Sequence, residues 1–284
     1  IGLNATVCAW AKGEAKIRRG LNTTICSSAK NKHSRQLETL RRESRQVAMT
    51  AVEPGCAKYV EIMKVPLHPG TCTKVSEYML NDPNGLEYTQ AQTGNISATS
   101  NLYATEEGVE TIVFVSEWES KEEFEAYSVS EGRTNESWKE IAKSFVLPTK
   151  FVGMEPMGGV THTPAPGGKA IGFVVLVEMA MLPNSAAKVS QYMLHDPNGL
   201  EYTKAQQGNI SATSNLYTTE EGVDTIVFFN KWESRDAFIA YNDSEGRRSN
   251  ESWKELATHF VGIPTITLMR PLGSFADEIT PRET

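Results

Sequence analysis

The stretch NGLEYTQAQTGNISATSNLYATEEGVETIVF (Asn84–Phe114) returns almost unchanged as NGLEYTKAQQGNISATSNLYTTEEGVDTIVF (Asn198–Phe228). The two copies align without a gap over Val75–Arg133 and Val189–Arg247, and 44 of these 59 positions are identical. Their offset of 114 residues lies outside the roughly 20–50 residues of stacked repeat units. Each copy is therefore predicted to be a domain, and two covalently joined copies predict a pseudo-symmetric dimer within one chain.

The charge of the chain is unevenly distributed. The 284 residues carry a net charge of −7, whereas residues 1–57 alone carry +6. The acidic remainder disfavours nucleic acid as a partner, because neutralising phosphates needs a basic surface. No apolar run approaches the ~18 residues of a membrane span, so no transmembrane segment is predicted.

The basic N-terminal arm, residues 1–57, is rich in Arg, Lys, Ser and Thr and poor in acids. Such a composition is typical of a transit peptide or of the region that follows one, which favours the chloroplast, with the cytoplasm as the alternative. The arm is predicted either to contact neighbouring protein subunits or to be a solvated segment.

The elements of each copy follow the order β-α-β-β-α-β, the ferredoxin-like plan. Residues 95–103 alternate along a strand, and Ser120 with Glu123 forms a capping box at the start of a helix. In the first copy the predicted strands are Lys58–Val65, Asn95–Tyr103, Thr111–Trp118 and Phe151–Met154, and the main helices are Cys72–Leu80, Ser120–Tyr127 and Glu136–Phe145.

These patterns divide the chain into five segments. The predicted boundaries are the arm (1–57), repeat 1 (58–152), a Gly/Pro-rich linker (153–170), repeat 2 (171–272) and a C-terminal tail (273–284). A sheet covered by helices on one side leaves its other face bare, and two copies can pack their bare faces together. The predicted fold class is α+β, with two ferredoxin-like repeats packed sheet to sheet as an intramolecular α/β barrel.

The stretch Gly94–Tyr127 and its twin Gly208–Tyr241 resemble the antibiotic biosynthesis monooxygenase family. The family's Glu-Trp-Glu-Ser run is matched fully at 117–120, whereas the second copy departs at Lys231. The resemblance implies a dimeric α/β barrel with a substrate pocket between each sheet and its helices. It further implies cofactor-independent oxygenation of a small aromatic or quinone-like molecule.

The resemblance also implies site residues. Trp118 and Trp232 match the tryptophan that lines the pocket in catalytic relatives, although a core aromatic at a strand end is the alternative. Strand alternation places Trp118 on the face that bears Phe114 and Ser100. The expected substrate-binding residues are Tyr88, Tyr202, Ser100, Ser214, Phe114 and Phe228. Arg133 and Arg247 are further candidates by residue type. Strand alternation places four other polar candidates on the opposite face of their strands, toward the other sheet: Asn101, Asn215, Tyr103 and Tyr217.

No cofactor is expected. Haem-degrading relatives use a histidine after the tryptophan, where this chain has Tyr127-Ser128 and Tyr241-Asn242, and no Asp/Glu/His set has metal-ligand spacing. The acidic cluster at 117–125 is predicted to be a solvated helix face. Two functions remain open: a cofactor-independent monooxygenase or binder of a small hydrophobic molecule, and a non-catalytic subunit of a larger assembly, such as a plastid photosynthetic complex, held by the arm.

Overall fold

A computed structural model describes residues 57–157, 170–248 and 251–272 of the chain. Nearly all of the basic arm, most of the predicted linker and the C-terminal tail lie outside these described residues. The first repeat contains β1 (Tyr59–Pro66), α1 (Cys72–Asn81), α2 (Leu86–Gln90), β2 (Asn95–Ala104), β3 (Glu110–Trp118), α3 (Lys121–Ser128), α4 (Glu131–Thr134), α5 (Glu136–Ala142) and β4 (Lys150–Pro156).

The second repeat has the same order of elements. It contains β5 (Phe173–Ala180), α6 (Ala186–His195), α7 (Leu200–Lys204), β6 (Asn209–Thr218), β7 (Asp224–Trp232), α8 (Arg235–Asp243), α9 (Glu245–Arg248), α10 (Glu251–Ala257) and β8 (Thr265–Pro271). None of the helices in the described parts of the chain is long and apolar enough to span a membrane.

The eight strands close into one antiparallel barrel in the order β1-β3-β2-β8-β5-β7-β6-β4. Within each repeat the fourth strand lies beside the first, and it also pairs with the second strand of the other repeat. Leu102 on β2 lies opposite Arg270 on β8, and Leu216 on β6 lies opposite Glu155 on β4. All neighbouring strands are antiparallel, so β1 and β5 run in the same direction. The pseudo-twofold axis that relates the two repeats therefore runs along the barrel axis. The predicted intramolecular α/β barrel is confirmed.

The barrel wall is buried on both sides. One cluster inside the barrel draws on both repeats and includes Val60, Val113, Val174 and Val227. Separate clusters fill the layer between wall and helices, one around Val75 in the first repeat and others in the second repeat. The helix layers of the two repeats therefore lie on opposite sides of the barrel, separated by its core.

Two details differ from the sequence pattern. β4 extends to Pro156, so the stretch from 153 that was assigned to the linker continues the barrel. Gly153 serves packing here, since a Cβ at this position would lie 2.1 Å from the Tyr59 hydroxyl oxygen. Helix α5 ends at Ala142, and Phe145 instead forms a bridge with Leu67 at the end of β1.

The prediction that Glu117 belongs to a solvated helix face was wrong. Glu117 is the penultimate residue of β3 and is buried on the inner face of the barrel, opposite Val60. Lys231, its counterpart on β7, is also buried. Burial lowers the pKa of Lys231, and the charge of Glu117 opposes that shift. Because Lys231 stands where the Glu-Trp-Glu-Ser pattern has its first Glu, the barrel carries opposite charges at two equivalent positions, Glu117 and Lys231.

Candidate functional site

Trp118 and Trp232 end strands β3 and β7 and face the helices. Both side chains are fully buried, at 0% exposure. Trp118 packs on Tyr127 of α3 with ring centroids 5.0 Å apart, and Trp232 packs on Tyr241 of α8 at 5.1 Å. Helix α3 is held in place by Ser120, whose Oγ accepts a hydrogen bond from the Glu123 amide at 3.2 Å, as the capping box predicts.

In the first repeat a hydrogen-bonded chain leads from Trp118 to a buried acid. Trp118 Nε1 donates to Ser116 Oγ at 2.8 Å, and Ser116 Oγ donates to Glu61 Oε2 at 3.3 Å. The other carboxyl oxygen, Glu61 Oε1, is buried without a hydrogen-bond partner. Burial raises the pKa of Glu61 to about 8, although the Ser116 hydrogen bond and the charge of Arg133 both oppose the shift.

Arg133 organises the polar part of the same layer. Its guanidinium donates to Thr89 Oγ1 at 2.5 Å and to the Tyr127 hydroxyl. It also donates to the carbonyl oxygens of Asn84 and Gly85, each at 3.3 Å. Because an arginine presents five fixed donors, these bonds hold the turn before α2 against α3.

Arg133 also lies over aromatic rings. Its guanidinium carbon is 4.4 Å from the ring centroid of Trp138 and 4.9 Å from that of Tyr127. Such cation–π contacts stabilise a desolvated cation. Tyr88 closes this group by accepting a hydrogen bond from the Gly132 amide at 3.2 Å.

In the second repeat the equivalent layer contains a cavity of about 130 Å³. Val175 takes the place of Glu61, and Asn230 takes the place of Ser116. The apolar lining includes Val175, Val177, Met179, Met193, Leu200, Phe228, Phe238, Trp253, Pro264 and Ile266, and the polar lining includes Asn198, Tyr202, Thr203, Asn230, Tyr241, Asn242 and Arg247.

Two buried polar atoms next to this cavity have no hydrogen-bond partner. They are Asn230 Oδ1, on a residue that lines the cavity, and Trp232 Nε1, two residues further along β7. In the first repeat the corresponding indole nitrogen is satisfied by Ser116. Replacement of that serine by Asn230 therefore leaves one acceptor and one donor unpaired in the second repeat. Unpaired buried polar groups are costly, and each one calls for an explanation such as a functional role or a bound water molecule or ion.

The structure brings only part of the expected site together around the cavity. Tyr202 and Phe228 line it, whereas Trp232 lies behind Tyr241 and outside the lining. Ser100 and Ser214 are buried with unpaired hydroxyl oxygens and lie opposite Phe114 and Phe228 across their hairpins. Tyr88 contacts Gly132 in the first repeat, where Phe114 joins the apolar cluster of the helix layer.

The remaining candidate site residues lie on both sides of the barrel wall, some facing its interior and some facing the helices. Tyr103 and Tyr217 pack against the core inside the barrel, as their parity predicts. Asn101 is buried and donates to the Val113 carbonyl at 3.4 Å. Arg247 lines the cavity with its guanidinium carbon 3.8 Å from the Trp253 ring centroid. Among the described residues, no group of three or more His, Cys, Asp or Glu side chains is placed to hold a metal ion.

Sequence reasoning missed Glu61. A signal was available, because Glu61 lies in a mainly apolar strand between Val60 and Ile62 and is replaced by Val175 in the second copy. An acid at the centre of a buried strand is rarely tolerated without a partner or a role.

Comparison with models of known protein families and with curated proteins returned no match. Solved structures do match. A candidate monooxygenase from Fusobacterium nucleatum aligns with a TM-score of 0.56 and 9% identity, over 76% of this chain and 93% of its own. One from Lactobacillus acidophilus aligns with a TM-score of 0.55 and 12% identity, over 76% and 94%.

An anthrone oxidase-like protein aligns with a TM-score of 0.50 and 14% identity, over 75% of this chain and 91% of its own. The chain shares the fold of these proteins. The resemblance to antibiotic biosynthesis monooxygenases is thus confirmed at the level of the fold. At these identities the likeness concerns architecture, and the chemistry has to be argued from the residues of the two helix layers.

Proposed function

We propose that this chain binds a small aromatic compound in the cavity of the second repeat and oxygenates it without a metal or flavin. The observation that carries the proposal is the cavity itself, which combines apolar walls with the unpaired Asn230 Oδ1. Its volume of about 130 Å³ is close to the ~150 Å³ that holds a benzene molecule in an engineered protein cavity. The cavity therefore holds one aromatic ring, and because it opens to the surface, the remaining rings of a fused compound such as an anthrone can extend outward.

The polar groups of the lining suit a hydroxylated or carbonyl-bearing ring. Asn230 Oδ1 accepts a hydrogen bond from a ligand hydroxyl group, and Arg247 stabilises an oxygen that becomes anionic. Tyr202 and Tyr241 also line the cavity, with their ring centroids 6.3 Å apart. This pattern, mainly apolar with a few convergent polar groups, is typical of small-molecule sites.

Oxygenation of such a compound needs no added electrons. In an anthrone, loss of a proton from the ring CH₂ gives an enolate that reacts directly with dioxygen. The CH₂ carbon becomes a carbonyl, one oxygen atom enters the product, and the other leaves as water together with the two hydrogens of the CH₂ group. The two electron pairs come from the substrate, and the role of the chain is to bind the ring and to stabilise the enolate oxygen through Arg247.

Binding and oxygen uptake test the two parts of the proposal separately. Calorimetric titration with a hydroxylated anthrone is expected to show binding that Val175→Phe removes by filling the cavity. Val223→Phe, in an exposed hairpin, is the matched control and should bind like wild type. Oxygen consumption should likewise be high for wild type and Val223→Phe and low for Val175→Phe. If wild type binds the anthrone but consumes oxygen only at the background rate, the oxygenase part of the proposal is wrong and the binding part stands.

The two tryptophans should be tested with more conservative substitutions than alanine. Trp118 and Trp232 are fully buried, so truncation to alanine costs about 3–5 kcal/mol and confuses folding with function. Trp232→Phe and Trp118→Phe are preferable. The catalytic role of these residues remains a prediction that the two variants test. The alternative role as a subunit held by residues 1–57 also remains a prediction, because nearly all of the arm lies outside the described residues.

A further inference from the structure

The two helix layers hold equivalent arginines in different positions. In the first repeat, Arg133 of α4 donates hydrogen bonds to Thr89 Oγ1 and to the Tyr127 hydroxyl group. It also donates to the carbonyl oxygens of Asn84 and Gly85. This guanidinium therefore joins the turn before α2 to helix α3, and it is buried between them.

In the second repeat, Arg247 of α9 is withdrawn from the equivalent groups. Its guanidinium carbon lies 3.8 Å from the ring centroid of Trp253, and its side chain donates no hydrogen bond within the part of the chain that the structure describes. The Thr203 and Tyr241 hydroxyl groups lie 3.1 Å apart and hydrogen-bond to each other. Arg247 is half-buried, so water can reach its remaining donors.

All four residues that accept from Arg133 have identical counterparts in the second repeat, and these counterparts line its cavity. They are Asn198, Gly199, Thr203 and Tyr241. A guanidinium bonded to all four would lie between the turn before α7 and helix α8, in space that belongs to the cavity. The position of Arg247 therefore decides how much of the cavity is open.

Two sequence differences give Arg247 a freedom that Arg133 lacks. The tryptophan of the next helix follows Arg133 by five positions but follows Arg247 by six, so the second repeat has one more residue in this connection. In addition, Glu61 attracts Arg133 inward when it is ionised, whereas Val175 in its place carries no charge.

We propose that Arg247 is a gate of the second-repeat cavity, which is open when the guanidinium lies on Trp253 and closed when it takes the position that Arg133 has in the first repeat. This regulation rests on the proposed function, since it acts on the cavity that binds the ring. Each position stabilises the guanidinium, one by a cation–π contact and the other by four hydrogen bonds. A ring binds the open state, so its apparent dissociation constant is the intrinsic one divided by the open fraction.

Arginine side-chain NMR on the full chain tests the gate without a ligand. In the closed position the Arg247 Nε–H group donates to the Tyr241 hydroxyl, as Arg133 Nε–H does to Tyr127, so its exchange with water is slowed. We expect a slowed Arg247 signal, identified by its loss in Arg247→Lys, that exchanges faster in Tyr241→Phe. Equally fast exchange in wild type and Tyr241→Phe would overturn the gate and leave the proposed binding of a ring untouched.

Calorimetric titration with anisole, a neutral ring without a hydroxyl group, measures the effect of the gate on binding. Thr203→Val removes an acceptor of the closed position and should tighten binding by about fivefold. Loss of a polar group that contacts the ligand would have the opposite effect. Thr89→Val is the matched control in the first repeat, where it should lower stability and leave anisole binding unchanged.

The two measurements separate the gate from the proposed function. Unchanged or weaker binding of anisole to Thr203→Val, when wild type binds it, would overturn the gate. If wild type binds neither anisole nor a hydroxylated anthrone while Arg247 Nε–H exchange is slowed, the closed position is supported and the proposed function is wrong.

Discussion

Lys64 and Glu178 occupy the same position in the two repeats, carry opposite charges, and form an ion pair inside the barrel. Their cross-strand neighbours, Val113 and Val227, belong to the barrel core, so both side chains point inward. Glu117 and Lys231 likewise occupy equivalent positions with opposite charges, opposite Val60 and Val174 near the other end of the barrel. In a barrel built from two identical repeats, each position would meet its own charge across the axis.

Reversing one charge of the Lys64–Glu178 pair is expected to destabilise the fold. Lys64→Glu or Glu178→Lys alone should lower the free energy of unfolding by roughly 3 kcal/mol, because the side chains are only 17% and 14% exposed. The double exchange should recover most of that loss in urea denaturation.

The exposed pair Lys74–Glu140 serves as the control for this exchange. Its side chains are 53% and 55% exposed, so charge reversal there should cost much less stability than at Lys64 and Glu178, because exposed ion pairs contribute little. A double exchange at Lys64 and Glu178 that is as unstable as the single variants would contradict the pairing.

The stability of the chain should fall between pH 4.5 and 8. Glu61 has a pKa of about 8 in the folded chain against a model value of 4.5, so the folded state holds this proton more tightly than the unfolded state. The resulting stabilisation is complete below pH 4.5 and is lost as the pH rises to 8, by at most roughly 5 kcal/mol. Glu61→Gln should flatten this part of the profile in urea denaturation, whereas Glu119→Gln, at an exposed carboxyl group, should keep it.

Asn230→Ser should stabilise the second repeat. The new hydroxyl group would accept from Trp232 Nε1, as Ser116 does from Trp118 at 2.8 Å, and the unpaired Asn230 Oδ1 would disappear. We expect a gain of about 1 kcal/mol in the free energy of unfolding, together with weaker binding of a hydroxylated ring. Asn230→Ala is the matched control, since it cannot satisfy the indole. Equal stability of the two variants would show that the indole nitrogen already has a partner.

Arg133→Ala should cost more stability than Arg247→Ala. Arg133 is 9% exposed and bonds to Tyr127, Thr89 and two carbonyl oxygens, all of which lose a donor on truncation. The loss should be about 3 kcal/mol or more, against a smaller loss for the half-buried Arg247. Thermal unfolding of both variants measures the difference, and equal shifts would show that these bonds contribute little.

The barrel was predictable because its signals are local. Alternation along 95–103 and the capping box at Ser120 follow from short-range geometry, and the internal repeat is visible directly as sequence identity. A sheet covered by helices on one side needs a partner for its bare face, which the second copy supplies. The helix-facing positions of Phe114 and Trp118 and the inward turn of Tyr103 followed from the same period of two.

The chemistry of the two layers was less accessible from sequence. A closed barrel covered by helices buries both faces of its wall, so the polar and apolar alternation that separates core from solvent is lost. Glu117 resembled a surface acid because Lys231, whose pKa the charge of Glu117 affects, lies 114 positions away in the sequence. Glu61 and Val175 lie outside the gapless alignment that starts at Val75, so the comparison of the two copies does not draw attention to them. Whether Glu61 is buried also depends on which face of the strand the helices cover.

Because the two repeats are joined in one chain, each molecule carries two chemically different helix layers in a fixed one-to-one ratio. In an assembly of identical subunits, every substitution alters all sites together. Joined copies remove that constraint, because an acid can be acquired at Glu61 while its twin at Val175 stays apolar. Each helix layer can then change its lining without changing the other, which lies behind the opposite wall of the barrel.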